Sequence, residues 1–589
     1  MAPPARWIIP DIDEKEAASL ASQCGLQLPA VRVLLSRGYR NAQDIEHFMH
    51  PKLSGLLDPF AMKGMREAVD RIRLAVDRRE KILLYGDYDV DGISSVVILR
   101  KMLGLMGHQA DFHVPDRLKD GYGMQASVVE QAARDGVNLI ISVGAGIRAL
   151  EAVKGARQAG VDVVITDQHL PEEELPPAAA ILNPNQPGCA YPNKNLCGAG
   201  VTFKLIQALM DLAEWPPDRI VRYLDSFLVM VAIATVADVV PLTGENRVIV
   251  KRGLEGLAKT PNPGLRALLE ISGVEPGAAL SATDVGYRVS PRMNAAGRMD
   301  NARDVVEMLL TGDEQRARAI AGRLDLLNSE RQKTGEAIVK AIVESIMDEC
   351  GPDGPGPERA GLVFYSPDWH RGVVGIVANR IVELFHRPAI VLGRDENTGL
   401  AQGSGRSIPG FHLLSALEEI GDVFIRFGGH RQAVGVTLEE GRVDELKRRF
   451  NQCALAALSE EDLAPERAID AECSLEELTD TAVDEVLQLA PFGLGNRAPL
   501  FLARGVEIRQ PADLFGREKE HVRVRLHQGE RAVVAKAWRF AARLEELRPG
   551  ARLDVALTLE ADAFSAKRGY APWGATVRDI RPAASAAGV

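Results

Sequence analysis

Residues 82–92, Ile82-Leu83-Leu84-Tyr85-Gly86-Asp87-Tyr88-Asp89-Val90-Asp91-Gly92, run from an apolar stretch straight into three carboxylates at alternate positions. Such a stretch, closed by glycine, reads as a buried strand. In extended backbone alternate side chains share a side, so Asp87, Asp89 and Asp91 are expected to converge at the mouth of one strand. Ligands of open α/β sheets bind there, outside the carboxyl ends of the strands. Hard divalent cations take clustered oxygens of this kind. An exposed acidic turn is the plainer alternative. The residues also resemble the opening of an EF-hand loop, but its twelfth position is Ile98 instead of Glu, and the motif follows a strand. Calcium sensing is therefore rejected.

The surrounding texture fits an α/β reading. Strand candidates at 81–85, 109–114, 138–143 and 161–166 alternate with helical patterns at 94–106 and 146–158. This alternation implies a mostly parallel sheet. Residues 246–350 read as largely helical, and 316–349 carry an apolar stripe at Leu324, Leu327, Ile338, Ile342 and Ile346. The run Gly351-Pro352-Asp353-Gly354-Pro355-Gly356-Pro357 is a breaker and a candidate boundary. Strands at 361–365 and 389–392 follow, with glycine-rich loops expected at 403–410 and 428–435. Beyond 465, short strands at 522–526, 532–538, 553–559 and 575–580 suggest a small barrel or sandwich. The domains are read as an N-terminal extension (1–55), a Rossmann-like α/β domain (56–245), a helical connector (246–357), a second α/β domain (358–457) and a β-rich module (465–585).

A chain of 589 residues needs more than one core. No uninterrupted apolar run spans a bilayer, the amino terminus lacks the apolar centre of a signal peptide, and no membrane partner is expected. Cys24, Cys189, Cys197, Cys350, Cys453 and Cys473 show no CxxC spacing, which argues against a zinc site and a disulfide framework. A cytoplasmic protein is the simplest expectation. The net charge of −11 does not favour nucleic acid, although a local basic groove can exist on an acidic protein.

A second cluster, Asp167-Gln168-His169, ends the strand candidate at 161–166 and so reaches the same kind of edge. Asp238 follows an apolar helix-like run, where a lone Asp is more often a cap than a ligand.

Three segments together, residues 86–92, 167–169 and Thr235-Val236-Ala237-Asp238-Val239-Val240-Pro241, resemble the DHH phosphoesterases. Within them the chain most resembles the RecJ-type exonucleases specific for single-stranded DNA. The likeness continues through 115–123, Pro291-Arg292-Met293-Asn294-Ala295-Ala296-Gly297-Arg298, 372–378, 403–410, Gly428-Gly429-His430 and Ala490-Pro491-Phe492-Gly493-Leu494-Gly495-Asn496. It covers nearly the whole chain beyond residue 55. The resemblance implies a DHH domain, a helical connector, a DHHA1 domain and an OB-like barrel. It implies 5′→3′ removal of nucleotides from single-stranded DNA, in repair or recombination, with manganese or magnesium. Asp89, Asp91 and Asp238 match metal ligands of the family. His169 matches the second His of the signature, close to metal and phosphate, and Asp87 and Asp167 match flanking aspartates.

Two positions depart from the pattern. Gly144, in Ile141-Ser142-Val143-Gly144-Ala145-Gly146-Ile147, stands where the family carries a ligating Asp, and Gln168 stands where it carries the first His. Glycine offers no side-chain ligand, and a neutral amide is a weaker ligand than imidazole. Even changes beyond the direct ligands cost ~10–100-fold in metal affinity or activity. One metal is expected at Asp89, Asp91 and Asp238, a second is expected to be weak or absent, and catalysis is expected to be impaired. Tolerated drift in an active enzyme is the alternative.

By resemblance, Arg292, Asn294 and Arg298, in a loop-like segment, would face the DNA backbone. Ser404, Arg406, Gly428, Gly429 and His430 would lay backbone N–H groups and side chains against phosphates. In the last module Trp538, Phe540, Phe564, Tyr570 and Trp573 accompany Lys536, Arg539, Lys567 and Arg568, which suits base stacking, although filling of the core explains any one aromatic as well. Three functions fit: a metal-dependent exonuclease, a single-strand-binding homologue that has lost most catalysis, and a DHH phosphodiesterase of short oligonucleotides or cyclic dinucleotides. The last module disfavours the third, since a short substrate needs no extended path. A monomer is expected, with single-stranded DNA as partner and a helicase or single-strand-binding protein as a further candidate.

Overall fold

The computed structural model describes residues 5–116, 123–213, 215–352, 354–562 and 571–583. The chain's contacts divide it into two units: residues 7–114, 122–290 and 468–589 form one, and 1–6, 115–121 and 291–467 the other. One of the boundaries between them falls at Ser290/Pro291, inside the expected connector.

The larger unit holds a five-stranded parallel sheet in the order Asp111–His113, Ile82–Tyr85, Leu139–Val143, Asp162–Thr166, Ala180–Leu182. The inner strand Leu139–Val143 is buried at every residue, as a sheet covered on both faces requires. The chain leaves Ile82–Tyr85 toward Asp111–His113 on one side, and Leu139–Val143 lies on the other, so the order reverses there. This switch point is where an α/β sheet opens a crevice at its carboxyl edge. The helices Val90–Leu105 and Gly198–Asp211 are apolar nearly all round and buried. The helix Pro217–Ala237 is long and apolar enough, by length and composition, to cross a membrane. It carries Asp218, Arg219, Arg222 and Asp225 in its first half and buries residues 227–235 inside the unit, the behaviour of a core helix.

The β-rich module belongs to the same unit. Its strands pair in the order Ala471–Glu472, Leu500–Ile508, Arg552–Ala561, Trp573–Pro582, Arg531–Ala537, His521–Gln528, Asp513–Phe515. Leu500–Ile508 also pairs with His521–Gln528, so the hydrogen-bonded order returns to its first long strand. The amino-terminal helices Glu14–Cys24, Leu28–Ser36 and Ala42–Met49 share the module's core: Leu34, Ile45 and Phe48 cluster with Phe501, Val524 and Leu557.

The smaller unit contains the helices Arg303–Leu310 and Glu314–Cys350. The second buries Leu324, Ile338, Ile342 and Ile346, with Leu327 only half-buried. Its last turns pack through Ile338, Ile342 and Ile346 on Val373, Val377 and Ile381 of the helix Arg371–Phe385. The sheet beside it runs Arg426–Gly429, Ala433–Leu438, Ala401–Arg406, Ala389–Arg394, Leu362–Tyr365. The expected glycine-rich loops at 403–410 and 428–435 are thus mostly antiparallel strands. Glycine there is a matter of close packing: a Cβ on Gly403 would stand 2.0 Å from Val391 O, and one on Gly405 2.8 Å from Val434 Cγ2. Likewise Arg292, Asn294 and Arg298 lie on a helix, Ser290–Met299, not in a loop. Its small residues Ala295 and Ala296 are buried, which is why the segment lacks a large-residue stripe.

Candidate metal centre and nucleic-acid face

Three strands of the parallel sheet end at one edge and deliver Asp87, Gly144 and Asp167. Registers Tyr85↔Ser142 and Val143↔Thr166 bring those ends level. The three carboxylates after Tyr85 gather differently from the extended alternation expected. The strand stops at Tyr85, Asp89 is the N-cap of the helix Val90–Leu105, and Asp91 lies in its first turn. The Asp89 carboxylate accepts from Gly92 N–H at 2.9 Å, an ordinary cap that satisfies one helix-start donor. Gly92 is required for closeness, because a Cβ there would stand 2.5 Å from Asp87 N.

Asp91 is buried and turned onto a second helix start. Its Oδ2 accepts from Gly198 N at 2.7 Å and its Oδ1 from Ala199 N at 2.8 Å, at the N-terminus of Gly198–Asp211. Those donors and the helix dipole favour a carboxylate. Burial and Asp89 nevertheless push its pKa up to about 6. Asp87 is raised to about 8, first by burial and then by Asp89, against the opposing Tyr88 N–H bond and His169. Asp238, at the C-cap of Pro217–Ala237, is raised by burial and by Asp91, Asp89 and Asp87. The four acids therefore feel one another's charge.

Asp167 and His169 form a second pair. Burial opposes ionisation of Asp167, but His169 Nδ1 at 2.7 Å, His169 N–H and Ile147 N–H outweigh it and hold its pKa below the usual value. Burial lowers the His169 pKa, yet Asp167, Asp91 and Asp87 raise it further, so the ring favours the cationic form.

Gly144 and Gln168 sit within this cluster. Gln168 Nε2 donates to Asp91 Oδ2 at 3.2 Å, while its Oε1 is buried with no hydrogen-bond partner. A Cβ on Gly144 would lie 3.9 Å from Asp91 Oδ2, in ordinary contact, although the backbone there has φ +74. A Cβ at 144 would thus stand beside the acids, where this chain carries no side chain. Among the described residues no three His, Cys, Asp or Glu side chains stand at ligand spacing. Asp87 and Asp89 each accept from one backbone N–H, and Asp91 from two. The mutually repelling carboxylates and the orphaned amide oxygen are an all-oxygen donor set, the ligand chemistry that a hard divalent cation takes.

Three features of the site have little sequence signature. Cys197 caps the helix that holds Asp91, its thiol buried between Asp91 and Thr235 and pushed well up by burial. Gly198 leaves no room for a side chain, since a Cβ would meet Asp91 Oδ2 at 2.6 Å and Gln168 Oε1 at 2.8 Å. Val239, directly after Asp238, is exposed at φ 55, a left-handed conformation that costs a β-branched residue about 1–2 kcal/mol. The signals available were only the Cys-Gly-Ala-Gly run at a helix start and the helix-ending Asp.

In the smaller unit three of the other expected residues, Arg298, Ser404 and Arg406, lie against one helix start. Arg298 donates to Gly372 O at 3.3 Å, and a Cβ on Gly375 would stand 3.3 Å from both Ser404 Oγ and an Arg406 guanidinium nitrogen. Arg298, Ser404 and Arg406 thus surround the first turn of Arg371–Phe385. Ser404, Gly435 and Gly428 face one another across three strands, leaving bare sheet backbone beside that turn. Gly429 and His430 close the hairpin, with His430 N donating to Ala433 O at 2.8 Å. Asn294 lies one turn before Arg298, whereas Arg292 is committed to an ion pair with Asp325 at 2.9 Å.

In the β-rich module Trp573 is buried with its Nε1 on Asp480, a core role, and Phe540 packs against the core. Trp538 is exposed and stacks edge-on with Phe515 and His521. Phe564, Lys567, Arg568 and Tyr570 lie outside the described residues.

Three family models match: the DHH family N-terminal domain over residues 81–235, the DHHA1 domain over 359–456 and the RecJ OB domain over 469–570. The chain is 39% identical over 555 residues to the single-stranded-DNA-specific exonuclease RecJ of Bacillus subtilis, covering 94% of this chain and 68% of that one. It is 39% identical over 496 residues to the enzyme of the same name from Dickeya dadantii, covering 81% of this chain and 84% of the relative. Among solved structures it is similar to RecJ of Thermus thermophilus in complex with Mn2+, with a TM-score of 0.82 at 28% identity, over 99% of this chain and 80% of the other.

Proposed function

The chain belongs to the RecJ family of single-stranded-DNA-specific exonucleases, and on that premise we propose that it is a metal-dependent exonuclease. It removes nucleotides 5′→3′ from single-stranded DNA in repair or recombination, with hydrolysis slowed by Gly144 and Gln168. The observation that carries this reading is the cluster of Asp87, Asp89, Asp91 and Asp238 at the carboxyl edge of the sheet, with Gln168 bonded to Asp91.

Asp89, Asp91 and Asp238, with Asp87 beside them, would hold one manganese or magnesium ion. When bound, such an ion stabilises charge on the phosphate and lowers the pKa of the attacking water. The rest falls to the chain. Asp167 fixes the His169 ring through Nδ1, so Nε2 is the ring atom that donates to the phosphate or to the departing oxygen. Helix N–H groups of Gly198 and Ala199 hold the Asp91 carboxylate in place. In the smaller unit, Arg298, Arg406 and the first turn of Arg371–Phe385 bind backbone phosphate, which carries no sequence information.

The second reading, a strand-binding homologue with little catalysis, is favoured by one observation: a neutral amide occupies the place beside Asp91. Digestion of 5′- and 3′-labelled single strands with Mn2+, by this chain and by an Asp89→Asn variant, separates the readings. Release from the 5′ end that disappears in the variant supports the exonuclease. Tight strand binding with no release supports the second.

A further inference from the structure

The turn that carries Asp238 is tied to the β-rich module. Leu242 N donates to Leu494 O at 2.7 Å, and Leu242 itself is buried. Residues 493–496 fold back on themselves, with Gly493 N to Asn496 O at 2.8 Å and Asn496 N to Gly493 O at 3.2 Å. Asn496 is buried, and its Nδ2 donates to Leu489 O at 2.9 Å and Pro491 O at 2.8 Å. Two glycines make the approach possible: a Cβ on Gly493 would stand 2.7 Å from Leu242 Cδ1, and one on Gly495, at φ +73, 3.0 Å from Pro241 Cβ. A buried Arg247 locks the other side, donating to Phe48 O at 2.7 Å and to Leu489 O and Ala490 O at 2.9 Å each. Asn246 Nδ2 holds Pro241 O at 3.0 Å.

Three residues separate Asp238 from Leu242, and the first of them, Val239, is held in the left-handed region. A β-branched residue keeps that conformation only where its surroundings over-determine it. Asp238 N to Ala234 O and Val239 N to Val236 O fix the turn from the helix side. The Leu494 carbonyl, the two glycine contacts and Asn246 fix it from the other.

We propose that Gly493, Leu494 and Gly495 of the β-rich module are positioning residues for the metal centre, holding the strained 238–242 turn so that Asp238 faces Asp89 and Asp91. The inference rests on the reading of Asp238 as a metal-holding residue. It makes the module part of the hydrolytic site as well as a surface for the strand: whatever shifts the 490–496 loop shifts an acid of the metal centre.

The test is Mn2+ affinity of the full chain without DNA, by calorimetry or by the electron paramagnetic resonance signal of free Mn2+, together with the melting temperature of the metal-free protein. Gly493→Ala and Gly495→Ala are expected to weaken Mn2+ binding at least fivefold. Gly550→Ala serves as the control: it strains a left-handed glycine of the same module that has nothing near its Cβ. It is expected to lower the melting temperature and leave Mn2+ affinity unchanged. Unchanged Mn2+ affinity in both loop variants overturns the inference, whatever their melting temperatures. Hydrogen exchange of the unsubstituted chain needs no variant to fold. Mn2+ is expected to protect 239–242 and 490–496 together, and protection of the first without the second overturns the proposal. If the chain shows no saturable Mn2+ binding, or Asp238→Asn leaves it intact, the metal reading itself falls and the inference with it.

Discussion

Gln168 donates its amide hydrogen to Asp91 Oδ2 across 3.2 Å and leaves its own carbonyl oxygen buried without a partner. An imidazole at the same place would bring a stronger ligand and no orphaned oxygen. The amide instead occupies one of the lone pairs a cation would use, and the positive charge that Asp91 feels nearby is that of His169, whose pKa it raises.

Gly198 tests how tightly that arrangement is built. A Cβ would intrude on Asp91 Oδ2 at 2.6 Å and on Gly144 Cα at 2.9 Å. Gly198→Ala is expected to abolish the rise in melting temperature that saturating Mn2+ gives the unsubstituted chain, a rise of about 2.7 kcal/mol in stability at a hundred times Kd. A variant that keeps the full metal-induced shift contradicts the packing described around Asp91.

Arg298 reports on the strand. As the backbone contact proposed above it would act on any sequence, so Arg298→Ala is expected to weaken binding of dT and mixed-sequence oligonucleotides alike. It should also reduce the dependence of log K on log salt by about one. Fluorescence anisotropy between low and moderate salt measures both. A loss confined to one sequence contradicts the assignment.

The acids of the proposed metal centre give the metal-free protein a distinctive pH response. The pKa of Asp87 stands at about 8 and that of Asp91 at about 6, both raised by burial and then by Asp89. In the unfolded chain these groups ionise near pH 4. Between those values the folded state binds more protons than the unfolded state, so stability falls as pH rises. The penalty is complete above about pH 8 and absent below about pH 4. The stability gained by Asp87→Asn over the unsubstituted chain is therefore expected to grow from pH 5 to about pH 8. Melting temperatures of the two metal-free proteins across that range decide it, and a difference that shrinks with pH contradicts the account.

Much of the site was legible because its chemistry is concentrated in short runs. The strand ending in Gly86-Asp87 and the Asp167-Gln168-His169 step carry their position with them, since an apolar run that stops at carboxylates marks a sheet's carboxyl edge. Geometry inside those runs was less accessible. Alternate spacing suggested extended backbone for Asp87, Asp89 and Asp91, but Asp89 is a helix cap, and the turn between strand and helix gathers them. The glycines at 403, 405 and 429 read as loop residues because propensity cannot see a neighbouring strand that leaves no room for Cβ. The helix carrying Arg292 and Arg298 was masked by small residues that pack closely. The contact between Leu242 and Leu494 joins positions 252 apart, counted from their numbers, and no local pattern announces such a pair.

Gly144 and Gln168 are proposed to slow hydrolysis without loosening the grip on DNA. The most direct measurement is the rate of nucleotide release from 5′-phosphorylated single strands with saturating Mn2+, for this chain and for the Gly144→Asp/Gln168→His double variant. Gly144→Asn/Gln168→His serves as the control for the left-handed backbone at position 144, since it matches the shape without the charge. The Asp-bearing variant is expected to be at least tenfold faster than the original chain, about 1.4 kcal/mol of transition-state stabilisation, with strand affinity unchanged. Equal rates for the original chain and the Asp-bearing double variant would contradict the account.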